Sequence, residues 1–320
     1  MADVTLILAS FPSPSSGNFD LGPVTLRAYG IMILLGIIAA TWLGGRRWVA
    51  RGGDWDGMFK VTIWVVAGGV VGARLYHVIT SFDRLPDEWW GVFAIWRGGL
   101  GIWGAVAGGV LAGWWAARRH GYTRAQRFSM MDAVIPGVLL AQAIGRWGNW
   151  FNQELFGSPS TLPWALEVDV AHRPAAYATA ETFHPIFLYE SIWNLIGVVG
   201  LLWLDRRAKL RAPALFCVYV MWYTLARLTW EETLRIDPSH SILGLRLNHY
   251  IAIGVFLVAA AAFWWIVRRG SERAGQPSPP AQGAMGHASG PRMDVPRGRR
   301  RSANRHFSIS RDFTKFHRFP

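Results

Sequence analysis

Gly145-Arg146-Trp147-Gly148-Asn149-Trp150-Phe151-Asn152-Gln153-Glu154-Leu155-Phe156-Gly157 follows an apolar run without a break, and it packs an arginine, two asparagines, a glutamate and three glycines into one short span. A chain that leaves a membrane only to reach water does not need that density. Ionisable groups at membrane depth are costly, about 2.5–3.5 kcal/mol for a central Arg on insertion scales, so a cluster of them marks a site. The apolar run before it marks the class of fold.

The whole composition agrees with that class. The chain has 320 residues, 52% of them hydrophobic, with 19 Trp and a mean hydropathy of +0.20, which places it among integral membrane proteins. A net charge of +13 would suit nucleic acid if it were spread over a soluble surface. Here the basic residues sit in short loops and in the C-terminal tail, where they orient a membrane protein, and no nucleic-acid partner is expected. The single cysteine, Cys217, lies in an apolar run, so no internal disulfide is possible and a buried small hydrophobe is the expected role. The N-terminus lacks the positive region of a secretory signal and carries Asp3 instead.

Working outward from the motif, seven segments approach the roughly 20 mostly apolar residues that a membrane-spanning helix needs. They cover residues 26–45, 58–80, 98–117, 128–144, 184–204, 212–230 and 247–267. The expected fold is an all-α polytopic membrane protein with seven transmembrane helices. Segments two, four, five and six carry Arg74, Asp132, Glu190 and Arg227, which suggests an occupied polar interior. Glycine pairs such as Gly68-Gly69 and Gly108-Gly109 read as close helix packing.

The basic loops set the orientation. Arg46, Arg47 and Arg51 follow segment one; Arg118, Arg119, Arg124 and Arg127 follow segment three; Arg206, Arg207, Lys209 and Arg211 follow segment five. All fall on one side, expected to be the cytoplasm, which puts the N-terminus outside and the C-terminus inside. The motif then emerges on the outer face and opens the longest outer connection, about 145–183. In it Trp164, Leu166, Val168 and Val170 alternate with Ala165, Glu167 and Asp169, the pattern of a half-buried strand, so a small extracytoplasmic head is expected. Residues 1–270 form the membrane domain. Residues 271–320, rich in Pro, Gly, Ser and Arg, read as a disordered basic cytoplasmic tail able to touch membrane lipids.

Polar groups recur at the outer ends of several segments: Arg27 and Tyr29, then Arg74, Tyr76 and His77, then Arg97, His184, Tyr189 and Glu190, and Arg227 with Glu231 and Glu232. Several arginines at headgroup depth suit a phosphate ligand, because guanidinium is always charged and offers a planar fork of donors. Each alone is equally compatible with snorkelling or with an ion pair, and Arg227 with Glu231 has the i, i+4 spacing of such a pair. The grouping favours the ligand.

Together with its satellites the motif resembles the signature of the phosphatidylglycerol:prolipoprotein diacylglyceryl transferase family. The satellites are Gly22-Pro23 with Leu26-Arg27-Ala28-Tyr29-Gly30, Gly72-Ala73-Arg74, Trp96-Arg97-Gly98-Gly99-Leu100, His184-Pro185 with Leu188-Tyr189-Glu190, and Ala226-Arg227 with Glu231. The resemblance covers most of residues 20–270 and excludes the tail. It implies transfer of the sn-1,2-diacylglyceryl group of phosphatidylglycerol to the lipobox cysteine of a preprolipoprotein, with a thioether and glycerol phosphate as products. It further implies a multi-pass enzyme of the bacterial inner (plasma) membrane that uses no metal and no cofactor.

By that similarity Arg146 and Arg227 bind the phosphate and support its departure. Tyr29, Arg74, Asn149, Asn152, Glu154, Gly157 and Glu231 surround the substrate, with Gly148 and Gly157 allowing tight backbone. The sequence departs from the family in one place. Many members carry a histidine, proposed as the base, shortly after the Gly-Gly-Leu of segment three, where this chain has Trp103. His184 is the substitute best suited by its ordinary pKa, though a purely structural role before Pro185 stays open; His77 and His249 are weaker candidates. Two other classes fit the polar grouping, a lipid or anion transporter (flippase) and a non-catalytic lipid-binding scaffold. A transporter predicts polar residues running through to the inner side.

Overall fold

The structure, a computed structural model, describes residues 10–22, 24–82, 88–95, 98–208, 210–236, 241–242 and 245–274, all within one compact unit, Met1–Gln276. Its main helices are α1 (Ala28–Val49), α2 (Trp55–Thr80), α3 (Ile102–Arg119), α4 (Arg124–Asn152), α5 (Ile186–Ala208), α6 (Ala214–Ala226) and α7 (Leu247–Ala274). Each apolar segment read from the sequence has become one of them. Helix α7 continues through Ala274, and of the expected tail, 271–320, residues 275–320 lie outside the described part.

Five of these helices, α1, α2, α4, α5 and residues Leu247–Arg269 of α7, are long and apolar enough to cross a membrane. The chain is therefore a mostly helical, multi-pass membrane protein, and residues such as Leu34 (56% exposed), Ile63 (67%) and Val258 (71%) present apolar side chains outward as a lipid-facing surface requires. The third and sixth segments give helices outside that set. Helix α3 ends on Arg118-Arg119, and α6 stops being α-helical at Ala226, where a π-helical turn (Arg227–Glu231) leads into Glu232–Leu234.

The helices pair along seams of small residues. A Cβ built at Gly68 would lie 2.3 Å from Ala112 Cβ and one at Gly108 2.2 Å from Gly68 O, so α2 and α3 approach backbone to backbone as the glycine pairs suggested. Gly36, Gly44 and Gly137 form a similar seam between α1 and α4. Helix α4 also packs on α5, and α6 on α7. Between the ends of the bundle lies an apolar cluster of Ile135, Leu139, Val198, Leu201 and Leu215.

Three short hairpins add to the helical frame: β1–β2 (Asn18–Leu21 with Val24–Arg27), β3–β4 (Leu166–Glu167 with Thr182–Phe183) and β5–β6 (Ser241–Ile242 with Leu245–Arg246). The first overrides the expected helix start at 26, because Leu26 and Arg27 pair with Phe19 and Asn18. The expected strand over 164–170 is only two residues long. Its middle keeps the alternation, with Leu166 and Val168 buried and Glu167 and Asp169 exposed, but Ala165 is buried while Trp164 (50%) and Val170 (70%) are exposed. Both ends have turned out of the sheet.

The connection 153–185 builds its own core from Phe156, Leu166, Val168 and Phe183 on Phe187 of α5, with Phe11 packed against it. Residues 10–16 close one side. Phe11 donates to Ala165 O (2.7 Å) and accepts from Glu167 N (2.9 Å), and Trp150 Nε1 donates to Pro12 O (3.1 Å).

Candidate functional site

The motif does not emerge as a loop. Helix α4 runs eight residues beyond the expected end at 144, so residues 145–152 are its last two turns. Nothing in Gly145 to Asn152 breaks a helix; the chain turns at Gln153 (φ 50°) and Leu155 (φ 55°), where the left-handed backbone ends it. Helical spacing sets Arg146, Asn149 and Gln153 on one face, at i, i+3 and i+7, while Trp147 and Trp150 face the aromatic cluster around Phe187.

Arg146 Nε forms an ion pair with Glu190 of α5; the carboxylate side chain is 5% exposed and the arginine 19%. Among the described residues Arg146 makes no other hydrogen bond, so its two Nη groups keep donors for a ligand. Two turns' length further on, Glu154 Oε1 accepts from Asn149 Nδ2 (2.9 Å) and Asn152 Nδ2 (3.3 Å), and Glu154 N donates to Asn149 O (3.0 Å). Asn149 is buried, while Asn152 and Glu154 are exposed, so the knot is fixed at its root and open at its tip. The Tyr29 ring lies across Gly148, where a Cβ would come within 2.5 Å of Cδ2, and it feels the charges of both Glu154 and Arg146. Any side chain at 148 would push Tyr29 off this face.

A small cavity of about 10 Å³, room for one water, continues from Glu190 between α5 and α6, lined also by Trp193, Asn194, Tyr223 and Ala226. On its far side Arg227 Nη2 donates to Tyr223 OH (3.0 Å) with its guanidinium over the Tyr223 ring. Arg146 and Arg227 are thus joined through Glu190, the cavity and Tyr223. Arg227 opens the π-helical turn, a geometry that alters the i, i+4 register assumed for Arg227 and Glu231 and that often accompanies functional sites. The Glu231 side chain lies outside the described part.

His184 lies beside this line, not on it. Its Nδ1 is 3.3 Å from Tyr189 OH, which accepts from Trp164 Nε1 (2.9 Å), and Tyr189 packs edge-on against Trp230 of the π turn. Tyr189 precedes Glu190 on α5, so His184 stands one helical position away from the Arg146 pair. Partial burial lowers the imidazole pKa from its usual 6.5, which favours the neutral, proton-accepting form. Gly157 meets His184 through its backbone: its N–H donates to His184 O (2.9 Å), and a Cβ there would come within 2.8 Å of His184 Cβ. It is a crossing point between the connection and the 234–235 segment.

Arg74 does not join the group. It is buried, and it donates to Val92 O (2.8 Å), Gly98 O (2.9 Å), Gly99 O (3.0 Å) and Gly91 O (2.6 Å). These N–H groups hold the loop before α3. Asp132 likewise marks no occupied interior: it accepts from Leu215 N (3.3 Å) and Phe216 N (3.0 Å) and caps α6. Trp103 is 67% exposed at the start of α3. Trp96 and Arg97 lie outside the described residues.

The sequence reading passed over Gln153. Its Nε2 donates to Pro14 O (3.0 Å) and Asp169 Oδ2 (2.6 Å), and its Oε1 accepts from Asp169 N (2.7 Å), so it ties the motif to the N-terminal segment and the 153–185 connection. Its signal was a polar residue in the middle of the motif that the family comparison did not emphasise. Glu190 was noted as ionisable, but its partnership with Arg146 needed the fold.

The model of the prolipoprotein diacylglyceryl transferase family matches residues 17–265. The chain is similar to phosphatidylglycerol--prolipoprotein diacylglyceryl transferase 2 of Streptomyces coelicolor, 48% identical over 305 residues that cover 89% of this chain and 93% of the relative. It is also similar to the phosphatidylglycerol--prolipoprotein diacylglyceryl transferases of Cutibacterium acnes (50% over 263 residues; 81% and 88%) and Bifidobacterium adolescentis (45% over 281 residues; 83% and 82%). With a match across its membrane helices and the polar end of α4, the chain belongs to the prolipoprotein diacylglyceryl transferase family.

Proposed function

We propose that this chain is a transferase that moves the diacylglyceryl group of phosphatidylglycerol onto prolipoproteins, with the acceptor being the lipobox cysteine. Family membership supports the reaction. The observation that supports the site is the Arg146–Glu190 pair, in which the Arg146 Nη donors remain available and Glu190 lines a small cavity with Tyr223, the hydrogen-bond partner of Arg227.

In this reading the cysteine sulfur attacks the sn-3 carbon of the diacylglycerol moiety, the C–O bond to phosphate breaks, and glycerol phosphate leaves with the electron pair. Arg146 and Arg227 stabilise the phosphate oxygens as charge collects on them, and a positive field also favours thiolate over thiol. Arg146 is held by one carboxylate, which fixes its direction without closing its fork. The headgroup approaches from the open side, where Asn152, Glu154 and Tyr29 are exposed and can take the glycerol hydroxyls. His184, kept neutral by burial, accepts the thiol proton. Arg74 and Gly157 act through the loops they hold, and Glu231 completes the wall near the π turn.

The membrane arrangement that goes with this reading has seven spans, the motif and the 153–185 head outside, the N-terminus outside and the C-terminus inside, in the bacterial plasma membrane. The basic loops support that orientation. Residues 1–270 are the catalytic domain, and the residues after them a basic cytoplasmic tail near lipid headgroups. The apolar cluster of Ile135, Leu139, Val198, Leu201 and Leu215 supports a site at one end over a polar path for transport.

The test is reconstitution with phosphatidylglycerol and a lipobox peptide, read by mass for the diacylglyceryl thioether and for glycerol phosphate. Folded protein that yields neither product overturns the proposal. Movement of phosphatidylglycerol between leaflets without product would favour the transporter.

A further inference from the structure

A second cavity, of about 630 Å³, lies at the opposite end of α4, where α4 begins, the 211–213 turn enters α6 and α7 ends. It is within the range of small-ligand sites. Its floor is apolar, with Phe128, Trp265 and Ile266, and its rim carries Arg124, Arg211 and Arg269. Among the described residues no acid lines it, and none of the three arginines is in an ion pair. Asp132 and Asp205, the acids one would expect to neutralise this end, are engaged elsewhere, in the α6 cap and in pairs with Arg47 and Arg51. The guanidinium of Arg269 lies 4.1 Å over the Trp265 ring and that of Arg124 5.6 Å over Phe128. Both cations are therefore held at the edge of the apolar floor.

The position along α4 matters. Arg124 and Arg146 are 22 positions apart on one helix, about 33 Å at 1.5 Å per residue. That is close to the thickness of a hydrocarbon core, about 30 Å. The rim arginines thus stand at the headgroup level of the leaflet opposite the Arg146 site. A ligand for this cavity needs an anionic head and an apolar body. The chain's own C-terminal segment does not qualify, because Arg297, Arg299, Arg300 and Arg301 would face three more arginines.

We propose that this groove binds one anionic phospholipid of the leaflet opposite the Arg146 site, its phosphate among Arg124, Arg211 and Arg269 and its glycerol and upper acyl chains on the Phe128–Trp265 floor. Guanidinium forks recognise phosphate oxygens, and the planar rings favour the first methylenes over water. The inference does not rest on the transferase chemistry, since Arg146 enters it only as a marker of depth along α4.

The experiment is native mass spectrometry of the full-length protein titrated with phosphatidic acid, a lipid that lacks the glycerol headgroup of phosphatidylglycerol. Phosphatidylcholine and soluble glycerol 3-phosphate serve as separate arms. Wild type should retain one phosphatidic acid that R124Q/R211Q/R269Q binds about 100-fold more weakly, roughly fivefold per arginine. A125W, which fills the groove and leaves the rim charges in place, should cause the same loss and guards against misfolding of the triple variant. Equal retention by wild type and both variants overturns the proposal. So does equal retention of phosphatidylcholine, which would mean a groove blind to charge, or displacement by glycerol 3-phosphate at similar concentration, which would mean a free-phosphate site.

Discussion

Two arginine–carboxylate clusters near opposite ends of α4 use the same residue types to opposite effect. At the α4 start, Asp205 is shared by Arg47 (3.2 Å) and Arg51 (2.7 Å), and the arginines' other donors reach Ala133 O, Asp132 O and Ser129 O. Both guanidinium groups of this cluster are closed on protein, and the result clamps α1, α4 and α5 together. At the α4 end, Arg146 meets one carboxylate and keeps its Nη groups, while Glu154 is tied by two amides but exposed. A closed cluster holds helices together, and an open one is ready for a ligand. Arg74 shows that position does not decide the matter: it shares the C-terminal half of α2 with Tyr76 and His77, yet backbone carbonyls occupy it.

The comparison breaks most easily at Arg146. Arg146→Gln should lower transferase activity about 10³-fold, as expected for loss of a group that stabilises transition-state charge. It should also destabilise the protein, because Glu190 is left buried opposite a neutral group. The double variant Arg146→Gln/Glu190→Gln separates these effects: melting temperature should recover and activity should not. If activity recovered with stability, the open cluster would be only another clamp.

His184 sharpens the same contrast. A neutral base with a pKa lowered by burial gives an acid limb in kcat/KM whose midpoint lies below the usual imidazole value of 6.5. Activity rises with pH through that limb as the proton leaves. His184→Gln should cost about 10²-fold at neutral pH and abolish the limb. An unchanged rate and profile would leave His184 as a partner of Gly157 and Tyr189 alone.

At the closed end the expectation reverses. Asp205→Asn leaves Arg47 and Arg51 facing each other without their carboxylate, half shielded from solvent, and should cost about 2 kcal/mol of stability. Activity per folded molecule should stay at the wild-type level. A fall in activity without a fall in melting temperature would mean that the clamp communicates with the site.

Much of this layout was legible beforehand, and the missing parts have physical reasons. Apolar length located all seven helices, since a run of that kind has few alternatives in a membrane. Their ends depended on pairings far away in the chain: β1 claims Leu26 and Arg27 from α1, and Gln153, tied to Pro14 and Asp169, decides where α4 stops. The motif identified the right turn of the right helix. It did not say which charges would be closed. Whether a guanidinium meets carbonyls, as Arg74 and Arg47 do, or keeps free donors, as Arg146 does, is set by which backbone passes within 3 Å of it. Loop arginines counted only for orientation became clamps for the same reason.

The smallest expected effect calibrates the closed end. Asp54 caps α2, accepting from Gly57 N (2.6 Å), and a second oxygen accepts from Tyr122 OH (3.0 Å). It is exposed, so it tests what two side-chain contacts contribute without burial. These two hydrogen bonds hold its pKa below the usual 3.8, while burial and the adjacent carboxylate push the Tyr122 phenol up to about 12. A carboxylate with a depressed folded-state pKa stabilises the fold above its unfolded value, and that contribution is lost as pH falls through the lower, folded one. Asp54→Ala should therefore cost about 1 kcal/mol at pH 7, the usual value of a helix cap, with no change in activity. The gap between wild type and variant should narrow below about pH 4 as the wild-type carboxylate is protonated. A gap that stayed constant down to pH 2 would mean that the charge has no part in the cap, leaving the hydrogen-bond geometry as its whole source.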